Sequence, residues 1–148
     1  FIKDNDIQSI VDLGCGDWQM MELVELGASG YVGVDCVKSI IQSNESKYGS
    51  PRVAFYYEDI KTYEVPECDL LIIKDVFIHW KNEDILKFLP QLSKCKYALI
   101  VNDTANISVD LKETGMFRAL NVWEEPFNVS GKILLQYNNK TVFLYSLT

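Results

Sequence analysis

The chain has 148 residues, 48% of them apolar and 24% charged, a balance that fits a single globular domain over residues 1–148 with a real core. Its formal net charge of −7 comes without any basic cluster, which disfavours bulk RNA or DNA as a partner because phosphate neutralisation supplies most of that affinity. No apolar run reaches the ~18–20 residues of a membrane span, and the opening FIKDND lacks the basic start and apolar core of a secretory leader, so the expectation is a cytoplasmic protein with no membrane partner.

Taken in chain order, the hydrophobic pattern alternates between strand and helix. Ser9–Leu13 (SIVDL) is a short β-branched run that ends at Gly14 and reads as a buried strand. Gln19–Leu26 (QMMELVEL) reads as a helix with Met20, Leu23 and Val24 on its inner face, Met21 and Leu26 at its margin, and Gly27 and Gly30 as stop signals. Tyr31–Asp35 (YVGVD) is a second strand. Val37–Tyr48 follows as a helix carrying Val37, Ile40 and Ile41 inward, closed by Gly49 and Pro51. Arg52–Tyr57 is a third strand, and Asp69–Ile73 (DLLII) a fourth, uninterrupted in its apolar run as a central parallel strand is.

Asn82 is the expected cap of the next helix, with Glu83 and Asp84 suiting its positive end and Ile85, Leu86, Phe88, Leu89 and Leu92 its apolar side. Lys96–Asn102 is a fifth strand. Asp103 to Gly131 shows little periodicity, and its Phe117, Trp123 and Phe127 read as packing residues. Lys132–Tyr137 and Thr141–Leu147 close the chain as a hairpin around Asn138, Asn139 and Lys140. Strand–helix alternation with a terminal antiparallel hairpin implies an α/β fold, an open, mostly parallel sheet with helices on both faces. Ligands of such sheets bind beyond the carboxyl ends of the strands, where the strand order reverses, and the first strand should border that point.

Cys15, Cys36, Cys68 and Cys95 form no CxxC pair, and one histidine does not complete a zinc set, so no metal is expected and the cysteines read as buried reduced thiols. The sequons at Asn44, Asn102, Asn106, Asn128 and Asn139 read as ordinary loop asparagines.

The chemistry is concentrated at the strand ends. Gly14 and Gly16 allow a sharp turn and a close backbone approach, and a helix after them would aim free N–H groups at the same space. Asp12, two residues before Gly14, repels a pyrophosphate but attracts an ammonium or sulfonium, or accepts hydrogen bonds from neighbouring N–H groups. A dinucleotide fingerprint would want a small residue where Gln19 stands, so the loop suits a nicotinamide cofactor poorly. Asp35, at the end of the second strand, is placed to accept from both hydroxyls of a ribose. Asp59 and Ile60 (YEDI) are placed for an adenine edge and face. Lys74 and Asp75 follow the fourth strand toward the same cleft, with His79 and Trp80 one turn on.

The set VDLGCGDW, GVD, YEDI and LLIIKDVFIHW, in that order and spacing, resembles class I S-adenosylmethionine-dependent methyltransferases over residues 7 to 102 and the closing hairpin. In detail, DLGCGDWQ followed by KDVFIHW and GMFRALNVWEEPFN resembles a bacterial subgroup of uncharacterised methyltransferases. The resemblance implies a Rossmann-like three-layer sandwich with a mostly parallel seven-stranded sheet and one antiparallel strand. It implies S-adenosylmethionine as cofactor, with Asp12, Gly14, Cys15 and Gly16 around the methionine part, Asp35 with Cys36 at the ribose, and Asp59 with Ile60 at the adenine. Trp18 departs from the third glycine common in the wider family and implies a different wall to the pocket; Lys74 joins the cofactor set.

Methyl transfer from a sulfonium rests chiefly on alignment of the acceptor. A base is needed only where the acceptor must lose a proton, and Asp75 and His79 are the candidates, four residues apart. Arg118 is a candidate to orient an anionic acceptor. The leading expectation is a methyltransferase acting on a small-molecule acceptor. A module that binds the cofactor without turnover and a nicotinamide-dependent oxidoreductase are the other readings.

Overall fold

The computed structural model describes residues 1–105 and 109–147, so the sequon at Asn106 lies outside the described residues. Seven strands form one sheet in the order β3-β2-β1-β4-β5-β7-β6. They are β1 (Ser9–Leu13), β2 (Gly30–Asp35), β3 (Val53–Tyr57), β4 (Cys68–Lys74), β5 (Cys95–Asp103), β6 (Lys132–Tyr137) and β7 (Lys140–Ser146). The first five pair in parallel, and β7 runs antiparallel to both β5 and β6. The apolar runs of the sequence locate the strands to within about a residue at most ends. The sheet is thus mostly parallel, with an antiparallel C-terminal pair.

Alternation along the strands sends side chains to two clusters. Val11, Leu13, Val34, Leu71, Ile73, Ala98 and Ile100 face helix α2 (Asn82–Phe88), whose Ile85 and Phe88 they bury. Ile10, Tyr31, Phe55, Leu70 and Ile72 face the other way, toward Ile41 of helix α1 (Lys38–Tyr48) and toward Trp18 and Met21. Residues 109–131 form no helix or strand, yet Leu120, Val122, Phe127 and Val129 belong to the first cluster, and Trp123 stacks on Phe143 at 5.3 Å. Phe117 is exposed instead. No helix among the described residues is long and apolar enough to cross a membrane.

Several local expectations are corrected. The helix over Gln19–Leu26 is a single 3₁₀ turn, Met21–Leu23, and only Met21 is buried while Met20, Leu23 and Val24 are exposed. Eight residues are too few to hold a helix alone, and one buried side chain does not make up the difference. In α1 the buried side chains are Ile41 and Asn44, and Val37 is not in the helix but is the exposed cap residue before it. Lys81, not Asn82, occupies the cap of α2, and Leu86 faces outward. Asn44 and Asn102 are not loop residues but buried members of α1 and β5. The cysteines are all free, but only Cys95 is buried; Cys15 and Cys68 are half-buried and Cys36 is exposed.

Candidate functional site

In the strand order, β1 lies between β2 and β4, so the connections leave it in opposite directions and a crevice opens beyond its carboxyl end. The chain leaving β1 bends three times through left-handed backbone, at Gly14 (φ 76°), Gly16 (φ 57°) and Trp18 (φ 65°). A Cβ at Gly14 would lie 2.4 Å from Val76 Cγ2, so only glycine fits there. A Cβ at Gly16 would meet nothing within 4 Å, because this part of the loop borders open space. Trp18 holds a conformation that costs an L-residue roughly 1–2 kcal/mol. Its indole is 8% exposed and packs on Tyr31, Tyr48 and Phe55, with ring centroids 4.8–5.6 Å away. Burial of that size exceeds the backbone cost, so the turn that a third glycine would make freely is made here by an anchored tryptophan.

The loop is braced from β2 and α1. The amides of Gly14 and Cys15 donate to the Val34 carbonyl at 2.8 and 3.1 Å. Asp35 accepts from the Gly16 amide at 3.0 Å on one carboxylate oxygen and from the Val37 amide at 2.9 Å on the other. Asn44 donates to the Gly16 carbonyl at 2.7 Å. The Gly14, Cys15 and Gly16 amides are thus spent on bracing the loop, and only a 3₁₀ turn follows it, so the free N–H groups expected of a helix after the loop are not supplied by these three residues.

A cleft of about 270 Å³ is lined by Asp12, Gly14, Cys15, Gly16, Trp18, Lys74 and Asp75 from the predicted set, together with Asp17, Met20, Met21 and Ile72. Asp12 is 4% exposed and accepts a 2.6 Å hydrogen bond from the Tyr31 hydroxyl. Burial pushes its carboxyl up to about 6, against the opposing pull of Tyr31 and the Lys74 charge. Asp75, on left-handed backbone at the end of β4, is held by the Lys74 ammonium at 2.8 Å and by that of Lys140. Burial raises its carboxyl, but the two lysines outweigh burial and leave it below the usual range. A more apolar hollow of about 410 Å³ shares Met20, Met21, Ile72 and Lys74 with the cleft and extends over Leu99, Val101, Tyr137 and Val142.

The other predicted residues lie outside the cleft lining. Asp35 is the brace described above, beside exposed Cys36. Asp59 is exposed and accepts from the Lys61 amide at 3.0 Å, in a turn that carries Ile60 toward Gly14. His79, in the 3₁₀ turn Phe77–His79, donates from Nδ1 to the Met116 carbonyl at 3.0 Å, which leaves Nε2 as its acceptor. Arg118 is buried, donates to the Trp80 carbonyl at 3.2 Å and to Asn82 at 2.5 Å, and fixes residues 109–131 to the start of α2. Among the described residues no three His, Cys, Asp or Glu side chains gather as metal ligands.

Sequence reasoning missed Tyr31, Asn44 and Lys140. Tyr31 and Asn44 carried a signal. A tyrosine opening a buried strand needs a partner for its hydroxyl, and Asn44 sits three residues from Ile41 on the inward face. Lys140 carried none, because it reaches Asp75 only through the pairing of β7 with β5.

No protein-family model matches the sequence, and no curated protein does. Solved structures do. The methyltransferase domain of bacterial CtHen1 is similar over 99% of this chain and 93% of its own, with a TM-score of 0.74 and 14% identity. An RNA methyltransferase from Salinibacter ruber, in complex with S-adenosyl-L-homocysteine, is similar over 98% and 86%, with a TM-score of 0.65 and 11% identity. Human N-acetylserotonin methyltransferase, in complex with S-adenosylmethionine, is similar over 95% of this chain but 47% of its own, with a TM-score of 0.68 and 14% identity. The chain spans 40 to 50% of the length of several such neighbours. These likenesses give the chain the class I methyltransferase fold.

Proposed function

We propose that residues 1–148 form one S-adenosylmethionine-dependent methyltransferase domain, a Rossmann-like three-layer sandwich of the DLGCGDWQ subgroup with α1 and α2 in its outer layers. It would act in the cytoplasm on a small-molecule acceptor. One observation carries the reading: a buried carboxylate, Asp12, lines the cleft at the switch point with no direct cationic contact among the described residues. A bound cation would offset the cost of that burial, and a sulfonium or ammonium is such a cation; a pyrophosphate would add to the cost. The residues present therefore fit S-adenosylmethionine.

In this reading Asp12, Gly14, Cys15 and Gly16 surround the methionine part, with Trp18 behind them as a fixed wall and Lys74 at the cleft's far side. Asp35 and Cys36 face the ribose, where each Asp35 oxygen keeps a lone pair beyond its backbone bond. Asp59 and Ile60 meet the adenine. When bound, the cofactor supplies a methyl group already activated by a positive sulfur. The chain's task is then to bind, orient and exclude water. The apolar hollow that shares Lys74 with the cleft is the acceptor's approach, which suits a small molecule of largely apolar surface better than an anionic polymer on a chain of net charge −7. Asp75 and His79 remain the candidates for accepting an acceptor proton. Asp75 is the one in the cleft, and the lysines that hold it ionised make it a weak base.

Calorimetric titration with S-adenosylmethionine, S-adenosylhomocysteine and NAD tests the reading. Adenosyl ligands should bind and NAD should not compete, and Asp35→Ala should weaken them at least tenfold. Tighter binding of NAD than of S-adenosylhomocysteine would sink the proposal.

A further inference from the structure

At the opposite end of the sheet, Cys68 opens β4 and Cys95 opens β5, and the two are direct partners in the parallel register. Neighbouring strands lie ~4.7–4.9 Å apart, within the roughly 4.4–6.8 Å between Cα atoms that a disulfide spans. Both side chains point to the same face, and their sulfurs are 2.6 Å apart. That is shorter than the ~3.5–4.0 Å of ordinary non-bonded carbon contacts. Neither cysteine belongs to the cleft.

We propose that Cys68 and Cys95 are a reversible dithiol–disulfide pair, closed by a low-molecular-weight disulfide, that staples β4 to β5 away from the cleft. The two sulfurs differ in access as such a pair requires. Cys95 is buried in the main core, whereas Cys68 is half-buried and lines an open hollow of about 450 Å³ with Ser9, Glu67, Asp69, Ser93 and Lys94. Cys68 therefore meets the reagent and Cys95 resolves. The two thiols share one hydrogen bond in which either sulfur can donate, and this contact favours ionisation of Cys95 and holds back that of Cys68; passing the Cys68 proton to Cys95 frees Cys68 for the first exchange.

The exchange balances with oxidised glutathione. The Cys68 thiolate attacks one sulfur of the reagent, forms a mixed disulfide and expels the first glutathione thiolate. The Cys95 thiolate then attacks Cys68 Sγ and expels the second. Two protein thiols are oxidised, one small disulfide is reduced to two thiols, and the protons of Cys68 and Cys95 end on the departing glutathiones. Lys74 lies six steps along β4 from Cys68, roughly 20 Å at ~3.3 Å per residue, so closure acts on the strand pair and not on the ligand cleft. The inference is independent of the proposed function.

The test is incubation of the folded protein with oxidised glutathione, followed by unreduced peptide mapping and thermal melting. The expected result is a linked Cys68–Cys95 peptide and a melting midpoint about 5 °C above that of the reduced protein, reversed by a thiol reductant. In Cys95→Ser the reaction should stop at a glutathione adduct on Cys68. Absence of the linked peptide in the wild-type chain, a stalled adduct on its Cys68, or a linked form that melts no higher would each overturn the proposal.

Discussion

Two acids stand on neighbouring strands of one cleft, and their surroundings treat them in opposite ways. Asp12, near the end of β1, has a tyrosine hydroxyl and no direct cationic contact, and burial lifts its carboxyl to about 6. Asp75, just past β4, has two lysines and stays below the ordinary range despite its burial. The difference separates roles: Asp75 is already paired, and Asp12 carries an unmet demand for positive charge. Under the proposed function, the acid without a lysine is the one that meets the cofactor's positive charge, and Asp75 with its lysines shapes the opposite wall.

The largest expected effect follows from Asp12. Its folded-state pKa lies above the unfolded value of 3.8, so its cost to the fold is absent below 3.8, grows up to about 6, and is full above that. Asp12→Asn keeps an acceptor for Tyr31 and should stabilise the unliganded protein at pH 7 by up to about 3 kcal/mol, at ~1.36 kcal/mol per pK unit. Urea denaturation at pH 7 and pH 4 should show the gain at the higher pH and little at the lower. The same substitution should cost at least tenfold in cofactor affinity; a neutral or destabilising effect at pH 7 would break the contrast with Asp75.

Tyr31→Phe sharpens it. Removing the one side-chain donor to a buried carboxylate should cost about 2 kcal/mol and push Asp12 higher still, visible as an upward shift in the pH dependence of ligand binding. The smallest effect is expected at Lys140→Met, about 1 kcal/mol by the same denaturation assay. Here the sign is reversed. Asp75 is depressed, so its pairing contributes above the ordinary carboxylate range and is lost as pH falls through its folded value, and the penalty of the substitution should shrink in acid.

Much of this was legible in the chain. Strands such as DLLII and KYALIVN are buried on both faces and show it as unbroken apolar runs, so the sheet could be read residue by residue. The cleft's nearest residues, Asp12, Gly14 and Gly16, sit on one continuous stretch and were legible for the same reason. What escaped was set across the sheet. Tyr31 meets Asp12, and Lys140 meets Asp75, only once register is known. QMMELVEL carried a helical period that lacked a surface to bury against. Trp18 was legible as a departure, but not as a residue in glycine's backbone conformation held by three aromatic rings.

The central claim is that Asp12 must be ionised to hold the cofactor's positive charge, and the pH dependence of S-adenosylmethionine affinity tests it most directly. With a free-state pKa of about 6, affinity at pH 5 should be about tenfold weaker than at pH 7.5 in the wild-type chain, and nearly flat in Asp12→Asn. An affinity that is level across that range in the wild type, or that falls equally in both proteins, would contradict the account.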